Sequence, residues 1–171
     1  MAERVIWIER KFSFDLPVWM FPNVIERIRG TPARLEDRIR HLPREILIRK
    51  TDKWSVQEQA GHLLDLESLN LQRMDEYERG LKELTAADVS NRQTHEARYN
   101  EKSIESILST FREERMKFVR RLESASEALI DHSAIHPRLK MPMRLIDYTC
   151  FIAEHDDHHL ARISDLLRTQ A

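Results

Sequence analysis

Apolar residues recur along most of this chain at spacings of three and four, the signature of amphipathic helices. Val18, Phe21, Val24, Ile25 and Ile28 predict a first helix that follows Pro17 and ends at Gly30. Thr31-Pro32 reads as an N-cap with proline at N1, opening a short helix to about Leu42. Pro43 to Lys53 reads as a connection in which Ile46-Leu47-Ile48 can dock on the core. Ser55-Val56-Gln57-Glu58 has the spacing of a capping box, with Trp54 placed to pack on the next turn as a hydrophobic staple. The helix it opens runs to about Gly80, a C-cap. The polar stretch through Asp88-Val89-Ser90-Asn91-Arg92 reads as a long loop, with room for one helical turn after Thr85. Ser103 opens a third long helix carrying Ile107, Leu108, Phe111, Phe118 and Leu122. His136 to Pro142 reads as a proline-bounded connection, and the last helix spans about Met143 to Thr169. Before the first helix, Trp7 to Phe14 alternates weakly and reads as extended chain.

Long helices joined by loops, with few credible strand candidates, predict an all-α, antiparallel four-helix bundle with short additional helices. At 171 residues the chain fits a single domain over positions 1–171. Only three glycines argue against a sheet protein built on tight hairpins and against a Gly-rich phosphate loop. A net charge of −1, from 28 basic and 29 acidic residues, provides no global field for nucleic acid or an anionic membrane. No stretch approaches the roughly 20 apolar residues of a membrane span. The opening Met1-Ala2-Glu3-Arg4 lacks the basic and apolar regions of a signal peptide, so a cytoplasmic location is expected. A single cysteine, Cys150, excludes an internal disulfide and an all-cysteine metal site, and its place on a buried-looking helix suggests inert packing.

Chemistry enters on the last helix. Leu145, Tyr148, Ile152, His155, His159, Ile163 and Leu166 follow one stripe, so two histidines one turn apart interrupt an otherwise apolar, core-facing side. Two imidazoles at i and i+4 can hold one divalent ion. His62, on the second predicted helix beside Leu66 and Leu69, is the candidate third ligand from a facing helix. Glu58 and Asp65, one turn either side of His62, are candidate carboxylates to orient an imidazole or act as a base, although Glu58 is also claimed by the cap. His158 points away from the pair and is left to the surroundings of the site or the surface. His41, His95, His132 and His136 have no partner spacing and read as loop or surface residues. Arg162 is placed to neutralise an anionic substrate or to pair with Asp165 or Asp157.

Rival chemistries are weakened by what is missing. There is no His-Glu-x-x-His run for a protease zinc helix. Glu58 and His62 are four apart, whereas a di-iron bundle wants Glu-x-x-His on two helices. No serine lies in a nucleophile-elbow context.

Two segments carry a resemblance. Lys53-Trp54-Ser55-Val56-Gln57-Glu58 leading into Gly61-His62-Leu63-Leu64-Asp65, and Ala153-Glu154-His155-Asp156-Asp157-His158-His159-Leu160-Ala161-Arg162-Ile163, resemble the first and closing motifs of the DinB/YfiT-like family of metal-dependent bundles. Ile25 to Arg34 resembles the opening of one subgroup. The resemblance covers most of the chain, and it implies that His62, His155 and His159 are the metal ligands. It also implies an up-down-down-up bundle, often a homodimer, holding nickel or zinc, with iron as a further candidate. Relatives include enzymes that join bacillithiol or related thiols to electrophiles and a mycothiol-dependent maleylpyruvate isomerase. The expected function is therefore a metal-dependent enzyme acting on a small molecule, either transferring a low-molecular-weight thiol to an electrophile or performing metal-assisted hydrolysis. The alternative is a non-enzymatic metal-binding or stress-response bundle. Neither nucleic acid nor membrane is an expected partner.

Overall fold

Each long helix begins where the sequence supplies its cap. Residues 5–50 and 53–169 are described by the structure, a computed structural model; Met1-Ala2-Glu3-Arg4, read above for a leader, lie outside them. α1 (Phe21–Arg29) is preceded by 3-10 turns at Trp7–Glu9 and Val18–Met20. α2 (Thr31–Ile39) follows with only Gly30 between, and a one-turn helix, α3 (Arg44–Leu47), precedes the second long helix. α4 (Val56–Glu78) has the full capping box: Glu58 N–H donates to Ser55 Oγ at 3.1 Å and Ser55 N–H to the Glu58 carboxylate at 2.8 Å. It ends in a Schellman motif, with Gly80 at φ +67° and the Leu81 and Gly80 amides donating back to Glu76 and Tyr77 carbonyls, each at 3.0 Å. α5 (Arg92–Glu96) and a 3-10 turn at Tyr99–Glu101 lead to α6 (Ile104–Glu123), capped by Ser103. α7 (Glu127–Ile130) precedes an antiparallel hairpin, β1 (Ser133–His136) and β2 (Met141–Arg144), which runs straight into α8 (Leu145–Arg168).

Side-chain pairs fix the directions. Arg27 meets Glu154 and Arg38 meets Ser164, so α1–α2 runs parallel to α8. Gln59 meets His159 and Asn70 meets Tyr148, so α4 runs against α8. Glu67 meets Arg115 and Glu78 meets Arg121, so α6 is parallel to α4, while Glu36 to Arg112 and Arg29 to Glu123 set it against α1–α2. The chain is an up-down-down-up four-helix bundle.

Its interior is two apolar halves with a polar layer between them. One half gathers Ile28, Met74, Phe118 and Ile152; the other gathers Leu35, Leu63, Phe111 and Ile163. Between them Arg115, 1 % exposed, reaches Glu67 on α4 at 2.8 Å, Asp156 on α8 at 2.5 Å and the Ile28 carbonyl of α1 at 3.2 Å. Thr31 Oγ1 donates to the same Asp156 at 2.6 Å. One guanidinium, two carboxylates and a hydroxyl therefore tie all four arms of the bundle at mid-height, where buried charge is tolerable only when fully paired.

Several local expectations change. Thr31 is the first helical residue rather than the N-cap, because Gly30 keeps a helical backbone (φ −74°) and the threonine hydroxyl is used by Asp156. The connection at Pro43–Lys53 contains α3, through which Leu47 is buried. The long loop holds α5 and a 3-10 turn, later than Thr85. Trp7–Glu9 is a 3-10 turn in the segment expected to be extended. The proline-bounded connection is the hairpin: Pro142 pairs with Ile135 on a two-stranded ribbon, where an absent N–H is tolerated on an edge.

Candidate metal centre

The antiparallel register of α4 and α8 brings His62 opposite the His155/His159 turn, beside the polar layer. One nitrogen from each of the three rings lies within 4.8 Å of the others. The rings of His155 and His159 are 4.4 Å apart, with Nε2 to Nε2 at 3.1 Å, and His62 sits 4.8 Å from the His159 ring. Two imidazole nitrogens each about 2.0–2.1 Å from one cation would be separated by about 2.8–3.4 Å at octahedral to tetrahedral angles. The histidine pair fits that spacing.

Neighbours fix which nitrogens face the centre. Gln59 Oε1 accepts from His159 Nδ1–H at 2.6 Å, leaving the Nε2 lone pair inward. On His62 the same work is done by a relay. Thr94 Oγ1 gives its proton to Asp65 at 2.8 Å, so it accepts from His62 Nδ1–H at 3.1 Å. Gln93 at 3.0 Å and the Tyr99 hydroxyl also donate to Asp65. Asp65 thus reaches His62 through Thr94. Glu58 is held elsewhere: one oxygen accepts from Ser55 and the other pairs with Lys50 at 2.7 Å.

Burial and mutual repulsion keep the cluster neutral. His62 is pushed down to about 4, first by burial and then by His158, His95 and Lys53. Burial likewise holds His155 and His159 well below the usual imidazole range, reinforced by each other's neighbours, His62 foremost for His155 and His155 foremost for His159. Neutral imidazoles are the form that binds a cation.

All three rings open onto a cavity of about 840 Å³ between α4, α8, the hairpin and the 86–91 segment. Trp54 packs its ring 4.7 Å from His62, and its buried indole N–H has no partner among the described residues. Trp7 closes the other side, 5.0 Å from the His155 ring and 5.6 Å from His158. His158 lines the cavity beside the pair, as does Arg162. His136, expected at the surface, is 3 % exposed because β1 turns it inward against Phe151 at 5.1 Å. Cys150 is partly buried and burial pushes its thiol up, so it offers no ready thiolate.

Sequence reasoning did not reach Gln59 or Thr94. Gln59 carried a signal: a polar residue one turn before His62 on the same side of α4. Thr94 carried none, since its place depends on how the loop returns.

The family model described as the DinB superfamily matches residues 27–163. Among solved structures, YfiT from Bacillus subtilis, described as a probable metal-dependent hydrolase with an unusual four-helix bundle topology, superposes with a TM-score of 0.81. The match covers 95% of this chain and 94% of that one at 17% identity, a likeness that concerns the fold. No curated protein matches the sequence.

Proposed function

The chain belongs to the DinB superfamily, and on that premise we propose that it is a metal-dependent enzyme whose His62, His155 and His159 hold one nickel or zinc ion. The observation that carries the reading is the set of three neutral imidazoles converging on the wall of an open cavity, two of them with Nδ1–H tied to an outside acceptor. A closed structural site has no such open side. Iron is also compatible with imidazole donors.

His62, His155 and His159 would hold the divalent ion, whose chemistry there would be to make a water or a thiol nucleophilic at neutral pH. The protein's own contribution is positioning. Gln59 and the Thr94–Asp65 relay set the ring orientations. Trp54 packs its ring against His62 at 4.7 Å and lines the same cavity. Trp7 and Phe151 wall off an apolar flank against which a substrate can lie. No protein nucleophile is needed. The cavity, about 840 Å³, accommodates a thiol carrier and an electrophile together, which favours transfer of a low-molecular-weight thiol. Metal-assisted hydrolysis is the second reading, favoured by the description given to YfiT.

Elemental analysis of the untagged protein tests the premise. Wild type is expected to carry close to one nickel or zinc per chain, and His155→Ala and His159→Ala to lose it while keeping their helical circular-dichroism signal. Wild type that neither carries nor takes up zinc or nickel refutes the reading. With the site loaded, cysteine and an aryl halide serve as first substrates for transfer and a p-nitrophenyl ester for hydrolysis.

A further inference from the structure

The cavity has a second chemical end. Its lining includes Arg73, His136 and Arg138. Arg138 makes no ion pair among the described residues, and its Nε and Nη2 are buried without an acceptor. Arg73, 3 % exposed, gives Nε and Nη2 to the Thr85 carbonyl at 3.0 and 2.7 Å and likewise meets no carboxylate among the described residues. His136 completes the set. Its Nδ1 accepts from the Leu139 amide at 3.2 Å, which puts the ring proton on Nε2, and that buried N–H has no acceptor among the described residues. Two guanidinium groups and an imidazole N–H are therefore gathered on one cavity, with no carboxylate among the described residues paired to them. Elsewhere in this bundle buried charge is compensated, as Arg115 is by Glu67 and Asp156. Leaving donors unmet costs stability unless a ligand meets them.

We infer that Arg138, Arg73 and the Nε2–H of His136 form an oxyanion subsite that receives the carboxylate or phosphate of the substrate. An apolar bridge joins this end to the histidines. The Arg138 guanidinium lies 5.6 Å from the Phe151 ring and 5.9 Å from the Trp7 ring, and Trp7 is 5.0 Å from His155. A substrate anchored by its anion at Arg138 lies along Trp7 and Phe151 and presents its far end to His155. The substrate class is a small molecule with an apolar middle and an anionic group away from the reacting centre. That this anion belongs to the reacting molecule rests on the metal-enzyme reading; the subsite itself does not.

Titration calorimetry with benzoate, phenyl phosphate and neutral benzamide tests it, on zinc-loaded and chelator-treated full-length protein, with zinc uptake measured on every preparation. Benzoate or phenyl phosphate is expected to bind both preparations, and the tighter one names the preferred group. Arg138→Gln should weaken binding about tenfold or more and Arg138→Lys much less, with zinc uptake unchanged in both. Equal binding by wild type and Arg138→Gln, equal affinity for benzamide, or binding that vanishes when zinc is removed overturns the subsite. Loss of zinc uptake with Arg138-dependent benzoate binding intact counts against the metal reading and leaves the subsite standing.

Discussion

Gln59 Oε1 lies 2.6 Å from His159 Nδ1 across 100 positions of sequence. An amide on α4 thus sets the tautomer of a histidine on α8. Gln59→Leu keeps the side-chain bulk and removes the acceptor. Zinc affinity is expected to fall 10–100-fold, as for other loss of outer support around a ligating histidine. Chelator competition measures it; unchanged affinity would show that His159 is oriented by packing alone.

Gly61 stands where no side chain fits. A Cβ built there comes within 2.2–2.5 Å of the Tyr99 ring, which would have to leave α4 and carry its hydroxyl away from Asp65. Gly61→Ala should therefore destabilise by about 1–3 kcal/mol of overpacking, outweighing the gain of ~1 kcal/mol in helix propensity. Urea denaturation decides the sign.

Removing Arg115 strands two buried carboxylates, Glu67 and Asp156. Arg115→Met should cost about 3–5 kcal/mol, the usual penalty for breaking a buried ion network from one side. Adding Glu67→Gln and Asp156→Asn should recover most of it. Chemical denaturation of the single and triple variants checks both halves.

His136 links stability to pH. Burial, then Arg73 and Arg138, hold it at about 3 against an ordinary 6.5. Above pH 6.5 both folded and unfolded states carry it neutral. As pH falls below 6.5 the unfolded chain takes up the proton first, so the fold loses stability down to about pH 3 and no more below it. The loss between pH 6.5 and 5 is about 2 kcal/mol from this residue. His136→Asn, which can still accept from the Leu139 amide, should show a shallower decline by that amount in denaturation series at the two pH values.

How much was legible in sequence differs from element to element. Ser55 with Glu58, Ser103 and Gly80 mark α4 and α6 because caps are local chemistry, satisfied within four residues. The α8 stripe was legible because burial imposes the helical period on Leu145, Ile152, Ile163 and Leu166 alike. The hairpin was hidden by Pro137 and Pro142, read as breaks though the ribbon tolerates them. Nothing local in the sequence sets Arg115 and Glu67 apart from other charged helix positions, since only the parallel register of α4 and α6 turns them toward each other. Asp65 sat at the right distance from His62 for a supporting carboxylate, but the residue between them, Thr94, comes from a loop whose path no local rule dictates.

The hairpin that carries His136 and leads into Arg138 is built separately from the helices that carry the three converging histidines. In the proposed arrangement this ribbon supplies two of the three anion-binding groups, His136 and Arg138, while Arg73 joins them from α4, the helix that also carries His62. A bundle arranged this way can exchange its 133–144 segment, and with it most of the proposed anion contacts, while the helices that present the histidines keep their register. Diversification of substrates within such a scaffold then requires drift in one short ribbon rather than redesign of a centre.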